Sequence, residues 1–159
     1  MFCSTLSTPI GLLIIKATTD ELEFIGFDLN DVEENPSELT EYAKKQVQEY
    51  FNGQRTTFDF PLEQPGTTFQ KTVWNELLNI APGKPISYAA LSRKMNSPLA
   101  IRAIASANGK NKLLIVIPCH RVIGSSGDLV GYAGGLWRKR WLLEHEACMM
   151  NTGQAALLF

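Results

Sequence analysis

Short runs of apolar and β-branched residues, separated by polar turns, characterise the first part of the chain. Residues 12–17 and 23–27 are two such runs, and Pro9–Gly11 has the composition of a turn, so strands are predicted here. Residues 28–37 are polar and acidic, which predicts a loop. Residues 56–60 alternate in the manner of a further strand.

From residue 38 to residue 51 the apolar positions change to a helical spacing, which predicts a helix. Its apolar side would be formed by Tyr42, Val47, Tyr50 and Phe51. Asn52-Gly53 ends the helix, because the residue beyond a helix commonly needs the positive φ that glycine tolerates. Residues 61–66 contain two prolines and a glycine and predict a domain boundary, which divides the chain into residues 1–66 and 67–159.

Helical spacing dominates the second half. Thr67 or Thr68 can cap a helix that ends before Pro82–Pro85. Its apolar stripe consists of Phe69, Val73, Trp74, Leu77 and Leu78. The element type therefore changes near the predicted boundary.

Two shorter helices follow, from the Ser87 cap to about Met95 and over residues 99–107, with Pro98 suited to the first turn of the second. Together they predict a helix-turn-helix. The second helix carries small residues around the single Arg102: Ala100, Ala103, Ala105 and Ala107. Such a face lets the backbone approach another surface closely, or it packs tightly inside a core, and the segment alone leaves both interpretations open.

The last third contains three further predicted elements. Residues 113–117 are an apolar run that predicts a buried strand, and Gly131–Gly135 predicts a flexible loop. The last helix is predicted over residues 136–147 with a basic patch at Arg138–Arg140. Its inward residues would be Leu136, Leu142 and Leu143.

The composition is that of a chain with a packed core, since 45% of its 159 residues are apolar and 19% are charged. No apolar run approaches bilayer length, and the N-terminus lacks the features of a secretory signal, so a cytoplasmic protein with no membrane partner is expected. Three widely spaced cysteines do not predict a disulfide framework, and neither they nor the two histidines have zinc-ligand spacing, so no metal is expected.

The net charge of −1 hides an asymmetry along the chain. Residues 1–69 hold four basic and twelve acidic residues, a net charge of −8, whereas residues 70–141 hold eleven basic and two acidic residues, a net charge of +9. A basic half favours a polyanionic partner, although a solvated basic surface has the same composition.

Cys119 is the main candidate for chemistry, because it follows the predicted buried strand and precedes His120. The thiolate is the reactive form of cysteine, and a nearby imidazole promotes its formation. A lone cysteine is otherwise commonly a small buried apolar residue, and position alone favours that interpretation.

Three other residues could support a reactive thiol. Glu146 is a carboxylate that could orient His120, Tyr88 could supply a phenol proton, and Asn111 could tie the turn before Cys119 to neighbouring backbone. Their ordinary alternatives are an exposed helix glutamate, a half-buried core aromatic and a loop asparagine.

Three ordered segments of the chain resemble the O6-alkylguanine-DNA alkyltransferase family: Ile117–Ile123, Gly131–Leu136 and Trp141–Glu146. The resemblance extends upstream through Phe69–Trp74, Pro82–Lys84, Ser87-Tyr88, Arg102 and Asn108–Asn111, and it covers roughly residues 67–147. A Pro-Cys-His triplet alone is weak evidence, whereas the ordered set at these spacings is specific.

The resemblance implies that the protein takes an alkyl group from O6-alkylguanine in DNA, with O4-alkylthymine left open, and that it does so once per molecule without a cofactor. Cys119 matches the alkyl acceptor, His120 the base that deprotonates it through a water, and Glu146 the carboxylate that orients His120. Asn111 matches a hinge asparagine, and Tyr88 the tyrosine that protonates the departing guanine. The pocket wall corresponds to Tyr132, Ala133, Gly134 and Gly135.

The resemblance also implies a helix-turn-helix that binds double-stranded DNA in the minor groove, with the damaged nucleotide flipped out. Arg102 matches the residue that enters the vacated base stack, and the expected DNA contacts are Arg102, Ala100, Ala103, Tyr88 and Arg121. A monomer is expected for the free protein. The fold implied is α/β: a small ribonuclease H-like N-terminal domain, then a mainly helical domain.

Some features depart from the family pattern. Ala133 stands where some members have a serine, which leaves lesion preference open, and the zinc ligands that some members carry near the N-terminus are missing. Two alternatives remain: a non-catalytic protein that binds alkyl lesions, against which Cys119 argues, and a hydrolase of the Cys-His type, which explains neither the basic half nor Arg102.

Overall fold

The computed structural model describes residues 1–27 and 32–151, and these divide into two units. One unit holds residues 1–65 together with residues 112–116, and the other holds residues 66–111 and the chain from residue 117. The segment 112–116, which the predicted division at residue 66 leaves in the second domain, belongs to the first unit.

An antiparallel sheet in the order β1-β2-β3 forms the first unit. The strands are β1 (Phe2–Thr8), β2 (Gly11–Ala17) and β3 (Leu22–Gly26). Thr8 pairs with Gly11, so Pro9 and Ile10 form the tight turn between β1 and β2. The strands predicted for residues 12–17 and 23–27 are confirmed, with ends that differ by one residue. Of the predicted loop 28–37, residues 28–31 lie outside the described residues.

Helix α1 (Glu38–Phe51) has the predicted bounds and packs on β1 and β2. Ser37 caps it, and the Ser37 and Thr40 side chains each accept a hydrogen bond from the other's backbone N–H. The predicted apolar side is right for Val47, Tyr50 and Phe51, which are buried, and wrong for Tyr42, which is 44% exposed.

Residues 56–60 form no strand, contrary to the prediction. Phe58 and Phe60 pack against each other with ring centroids 5.8 Å apart, and Phe58 lies 6.1 Å from the ring of Tyr50. The alternating pattern therefore reflects ring packing against α1 rather than a hydrogen-bonded ladder.

The second unit is mainly helical, as predicted. Its elements are α2 (Thr68–Leu77), β4 (Ile86–Ser87), α3 (Tyr88–Lys94), α4 (Ile101–Gly109), β5 (Val122–Ile123) and α5 (Leu136–Met149). The two short strands pair in parallel. Trp74 Nε1 donates to the Ala107 carbonyl over 2.9 Å and so fastens α2 to α4. No helix among residues 1–27 and 32–151 is long and apolar enough to cross a membrane.

Helices α3 and α4 form the predicted helix-turn-helix, with Ser87 as the cap of α3. Helix α4 begins at Ile101, two residues later than predicted, and Pro98 lies in the preceding turn rather than in the helix. The inward assignments fail for three residues, which are partly exposed: Phe69 (37%), Leu78 (51%) and Leu136 (48%).

Residues 113–117 are buried as predicted, but they do not form a strand. Leu113 makes a single parallel bridge with Ile25, and the chain then turns, with the Val116 N–H donating to the Leu114 carbonyl over 2.8 Å. Ile115, at the centre of this turn, has a φ of 73°, which costs a β-branched residue about 1–3 kcal/mol. An apolar run indicates burial but does not fix the backbone conformation.

Candidate active site

Cys119 begins a short 3-10 turn (Cys119–Arg121), and a tight turn at Pro118 leads into it. The Cys119 N–H donates to the Ile117 carbonyl over 2.8 Å, and Pro118 has φ −81° and ψ 65°, the geometry of an inverse γ-turn that proline readily adopts. Asn111 Nδ2 donates to the same Ile117 carbonyl over 2.8 Å. The Asn111 side chain therefore lies where it ties the turn before Cys119 to neighbouring backbone.

The Cys119 thiol is buried, with 3% of the residue exposed. Burial raises the pKa of this thiol to about 11, although a hydrogen bond from Asn111 and the charge of Lys139 act in the opposite direction. The thiol is therefore protonated at neutral pH, and a base must remove its proton before it can act as a nucleophile.

His120 and Glu146 form a fully buried pair, with Nε2 of the imidazole 2.7 Å from Oε2 of the carboxylate. The carboxylate can only accept, so Nε2 carries the proton. Nδ1 is buried and has no hydrogen-bond partner among the described residues. Burial lowers the pKa of His120, so the imidazole is neutral at pH 7 and Nδ1 is free to accept a proton.

The sequence predicted Arg121 as a DNA contact, and the structure places it in the interior of the protein, with 5% of the residue exposed and its guanidinium bound internally. Its Nε and Nη2 donate to the two Glu146 oxygens over 2.8 and 3.0 Å, and Nη1 donates to the Ile80 carbonyl over 2.7 Å. Burial alone would raise the pKa of Glu146, but the hydrogen bonds from His120 and Arg121, together with the charge of Arg121, outweigh it and hold that pKa below its usual range. Arg121 thus keeps Glu146 ionised beneath His120.

The sequence prediction is wrong for Lys139, which it assigned to a basic patch. It is completely buried, and its Nζ donates to the carbonyls of Val122, Val130 and Gly131 over 2.7, 2.8 and 3.2 Å. Burial lowers the pKa of Lys139 to about 8. Its three donors are all used, so Lys139 fastens the loop of Val130 and Gly131 to β5 and to α5.

A cavity of about 250 Å³ opens beside Cys119. Its walls are formed by Tyr88, Ala105, Asn108, Gly109, Cys119, Gly131, Tyr132 and Ala133. The Tyr132 hydroxyl is buried without a hydrogen-bond partner among the described residues, and its ring meets that of His120 edge-on at 6.5 Å. Cys119 is therefore a wall residue of a cavity that carries unsatisfied polar groups.

Two of the four predicted wall residues do not line this cavity in the described chain. The Gly134 carbonyl accepts a hydrogen bond from Arg138 over 2.9 Å, and Gly135 precedes α5 with a φ of 91°, a left-handed conformation that favours glycine. Gly134 and Gly135 therefore shape the entry into α5, whereas Tyr132 and Ala133 form the wall.

Helix α4 has one buried and one exposed side. Ile104 and Ala107 are buried, whereas Arg102 and Ala103 are exposed and Ala100 is half-buried. Four basic residues of the helix-turn-helix are exposed: Arg93, Lys94, Arg102 and Lys110. The small-residue helix is therefore packed inside the unit on one side and exposed on the other. Tyr88, which the sequence predicted as a DNA contact and a catalytic residue, is buried at the cavity wall, and burial raises the pKa of its phenol.

Models of two protein families match the chain and together cover most of it. The family described as 6-O-methylguanine DNA methyltransferase, DNA binding domain, matches residues 68–148. The family described as 6-O-methylguanine DNA methyltransferase, ribonuclease-like domain, matches residues 1–64. The chain belongs to the methylated-DNA–protein-cysteine methyltransferase family. The resemblance noted in the sequence is confirmed, and so is the α/β fold with a ribonuclease-like first domain.

Two curated relatives match this chain over most of their length. The methylated-DNA–protein-cysteine methyltransferase of Methanosarcina acetivorans is 35% identical over 153 residues, which is 92% of this chain and 98% of the relative. The constitutive enzyme of Bacillus subtilis is 41% identical, over 84% of this chain and 87% of the relative. The activity of this chain is that of a methylated-DNA–protein-cysteine methyltransferase, and its function is the repair of O6-methylguanine in DNA.

A solved structure of a methyltransferase from this family has the same fold. The Mycobacterium tuberculosis OGT, crystallised in complex with DNA, superposes with a TM-score of 0.84 at 38% identity and covers 94% of each chain. Both units described above therefore have counterparts in a solved member of the methyltransferase family.

Sequence reasoning missed three features of the methyltransferase site. These are the structural role of Arg121, the structural role of Lys139 and the position of Asn108 at the cavity wall. A signal existed for Lys139, which lies three and four positions before Leu142 and Leu143 and so shares their inward face. Asn108 falls within the family resemblance, but its contact with Tyr88 has no local signal, and neither has the Arg121 pairing with Glu146, since both depend on distant segments meeting. Among the described residues, no group of three or more acidic, histidine or cysteine side chains could hold a metal.

Proposed function

We propose that Cys119 is the thiol that receives the alkyl group. The observation that carries this proposal is the placement of Cys119 at the wall of the cavity, directly followed by a neutral His120 whose Nε2 is committed to a buried carboxylate. Cys3, also buried, lies in the first unit, and Cys148 is exposed on α5. Neither of these two cysteines lines the cavity.

The first step is deprotonation of the thiol. Because the pKa of Cys119 is about 11, the thiolate forms only when a base takes the proton. The base is Nδ1 of His120, reached through one water molecule, since the two side chains belong to adjacent residues of a tight turn. Glu146 stabilises the resulting imidazolium, and Arg121 keeps Glu146 in place.

The second step is a displacement at saturated carbon. The Cys119 sulfur forms a bond to the alkyl carbon, and the bond from that carbon to guanine O6 breaks, leaving its electron pair on the guanine. Tyr88 at the cavity wall supplies a proton to the departing guanine. The thioether product is stable, so each molecule reacts once, and no cofactor takes part.

The third element is delivery of the base. Guanine O6 in a stacked duplex is out of reach of a buried thiol, so the nucleotide must be flipped into the cavity, which takes one base rather than a helix. The exposed side of α4, with Ala100 and Ala103 beside Arg102, suits close approach to the minor groove and insertion of Arg102 into the base stack. The M. tuberculosis OGT was crystallised in complex with DNA, which supports DNA as the partner.

The test is to incubate the protein with a duplex whose O6-methylguanine carries a radiolabelled methyl group, and to map the label after digestion. We expect at most one equivalent of label, on the peptide that contains Cys119. The Cys119→Ser variant should bind the duplex with unchanged affinity and take no label, because a serine hydroxyl is a much weaker nucleophile than a thiolate.

Cys148→Ser is the matched control, since it removes an exposed thiol, and it should take label as the unmodified chain does. Binding of the duplex without transfer to any cysteine would favour a non-catalytic lesion-binding protein. Label on Cys3 or Cys148 would overturn the assignment of Cys119.

A further inference from the structure

Asn108, near the end of α4, is a buried polar residue to which the mechanism above gives no role. It is 5% exposed and lines the same cavity as Cys119. Its Nδ2 lies 3.0 Å from the Tyr88 hydroxyl oxygen and 3.3 Å from the Cys119 carbonyl oxygen. A single amide group thus connects the proposed proton donor with the backbone of the proposed acceptor.

The contact with Cys119 fixes the orientation of the amide. A backbone carbonyl can only accept a hydrogen bond, so the end of the Asn108 side chain that faces it must be the NH₂ group. The second hydrogen of this group then points at Tyr88, whose hydroxyl oxygen accepts it. The hydroxyl proton of Tyr88 is therefore not used by Asn108 and remains available to another acceptor.

The other end of the amide supports a role toward an occupant of the cavity. Asn108 Oδ1 is buried and has no hydrogen-bond partner among the described residues. An unsatisfied buried carbonyl costs about 1–3 kcal/mol. Leucine has a similar size and would fill the same space without that cost, so packing alone does not explain an asparagine here.

We infer that Asn108 is a positioning residue that directs the hydroxyl proton of Tyr88 into the cavity, toward the guanine that departs when Cys119 takes the alkyl group. The inference rests on the proposed function. The Tyr88 O–H bond breaks, its proton passes to the guanine, and its electron pair stays on the phenol oxygen, where the Asn108 N–H stabilises the developing charge. Asn108 itself remains neutral.

The electrostatics of Tyr88 agree with this assignment. Burial raises the pKa of the Tyr88 phenol, which would make it a poor proton donor, and the hydrogen bond from Asn108 lowers that pKa. Asn108 therefore offsets part of the effect that burial has on the pKa of Tyr88, which lies beside it in the cavity wall.

The experiment measures single-turnover transfer from O6-methylguanine in a duplex for Asn108→Leu, alone and combined with Tyr88→Phe. We expect Asn108→Leu to slow transfer roughly ten- to a hundredfold, somewhat less than the 10²–10⁴ that a general acid contributes. Affinity for the same duplex is measured in a Cys119→Ser background, and transfer rates are compared at saturating protein, so that a change in binding does not enter the rate. In the Tyr88→Phe background, Asn108→Leu should cause no further loss, because the proton that it directs is already absent.

Alkylation of Cys119 by iodoacetamide supplies the second readout, since iodide leaves without a proton and Tyr88 is not needed. Asn108→Leu should leave that rate within twofold of the unmodified chain. Two results would show that Asn108 only holds the Cys119 turn, and either would overturn the inference. One is that Asn108→Leu slows iodoacetamide alkylation as much as it slows methyl transfer. The other is that Asn108→Leu slows methyl transfer as much in the Tyr88→Phe background as it does alone.

Asn108→Asp is a second variant of nearly equal size that keeps the inference testable if the leucine variant does not fold. An aspartate would accept the Tyr88 proton instead of donating to the phenol oxygen, so transfer should slow at least as much. Wild-type transfer by Asn108→Asp would also overturn the inference. Failure of the proposed function is a separate result, because the unmodified chain would then take no label.

Discussion

Arg102 and Arg121 carry the same guanidinium in the same unit, yet their surroundings are opposite. Arg102 lies exposed on the first turn of α4, whereas Arg121 is 5% exposed and binds both oxygens of Glu146. One is placed to meet an external anion, and the other neutralises an internal one. The count of cations in the basic half therefore does not measure the charge available to DNA.

The lysines repeat this contrast. Lys94 is exposed at the end of α3, and Lys139 is completely buried, with three backbone carbonyls as its partners. Burial and internal partners decide whether a cation belongs to the DNA-facing surface or to the framework of the site. We therefore expect substitutions of the buried cations to change stability or transfer, and substitutions of the exposed cations to change DNA binding.

The largest expected effect is on stability, from Arg121→Met. Removing Arg121 leaves the Glu146 carboxylate buried beside a neutral imidazole, and loss of one partner of a buried pair costs about 3–5 kcal/mol. Urea unfolding of the free protein measures this loss. Arg102→Met is the matched control, and it should change the free energy of unfolding by no more than about 0.5 kcal/mol.

Equal losses in the two methionine variants would contradict the division into framework and surface cations. The double variant Arg121→Met with Glu146→Gln sharpens the test, because it removes the buried charge together with its partner. It should lose less stability than the sum of the two single variants.

The elements that local patterns determine were predictable from the sequence. Helix α1 has its predicted bounds because a helical spacing, the Ser37 cap and Asn52-Gly53 all point to the same ends. Residues 56–60 and 113–117 were wrongly predicted as strands, since apolar runs indicate burial but strand pairing depends on distant partners. Ile115 with its positive φ has no local signal at all.

The same division applies to the site. Cys119, His120 and Tyr88 lie in or next to recognisable local motifs, and the family resemblance predicts roles for them and for Glu146. The partners that give these residues their properties come from other elements: Arg121 binds Ile80 and a carboxylate on α5, and Asn108 reaches back to Tyr88. Such contacts between distant segments cannot be deduced from periodicity or from motif spacing.

An intermediate effect is expected on the pH dependence of transfer, which reports the buried side of the comparison. His120 acts as a base only when neutral, and burial lowers its pKa below the usual 6.5. The single-turnover rate should therefore stay level as the pH falls through 6.5, and then decrease about tenfold per pH unit below the lowered pKa. Glu146, whose pKa is also lowered, stays ionised throughout this range.

Single-turnover rates from pH 5 to pH 8 on the same duplex measure this profile, with saturating protein so that binding does not contribute. A decrease already half complete above pH 6.5 would show that His120 is protonated more easily than its burial allows. That result would contradict the lowered pKa that burial gives His120 in the free site.

The smallest effect is expected from single exposed lysines, and it concerns salt. Lys94→Gln should weaken duplex binding several-fold and reduce the slope of log affinity against log salt by about 1, since one phosphate contact releases about one counterion.

Lys139→Gln is the matched comparison with the same change of charge. It should leave the slope unchanged and slow transfer, because the loop that carries Gly131 loses its anchor. Affinities in a Cys119→Ser background from 50 to 200 mM salt separate the two outcomes, and equal slopes for the two glutamine variants would remove the distinction between surface and framework cations.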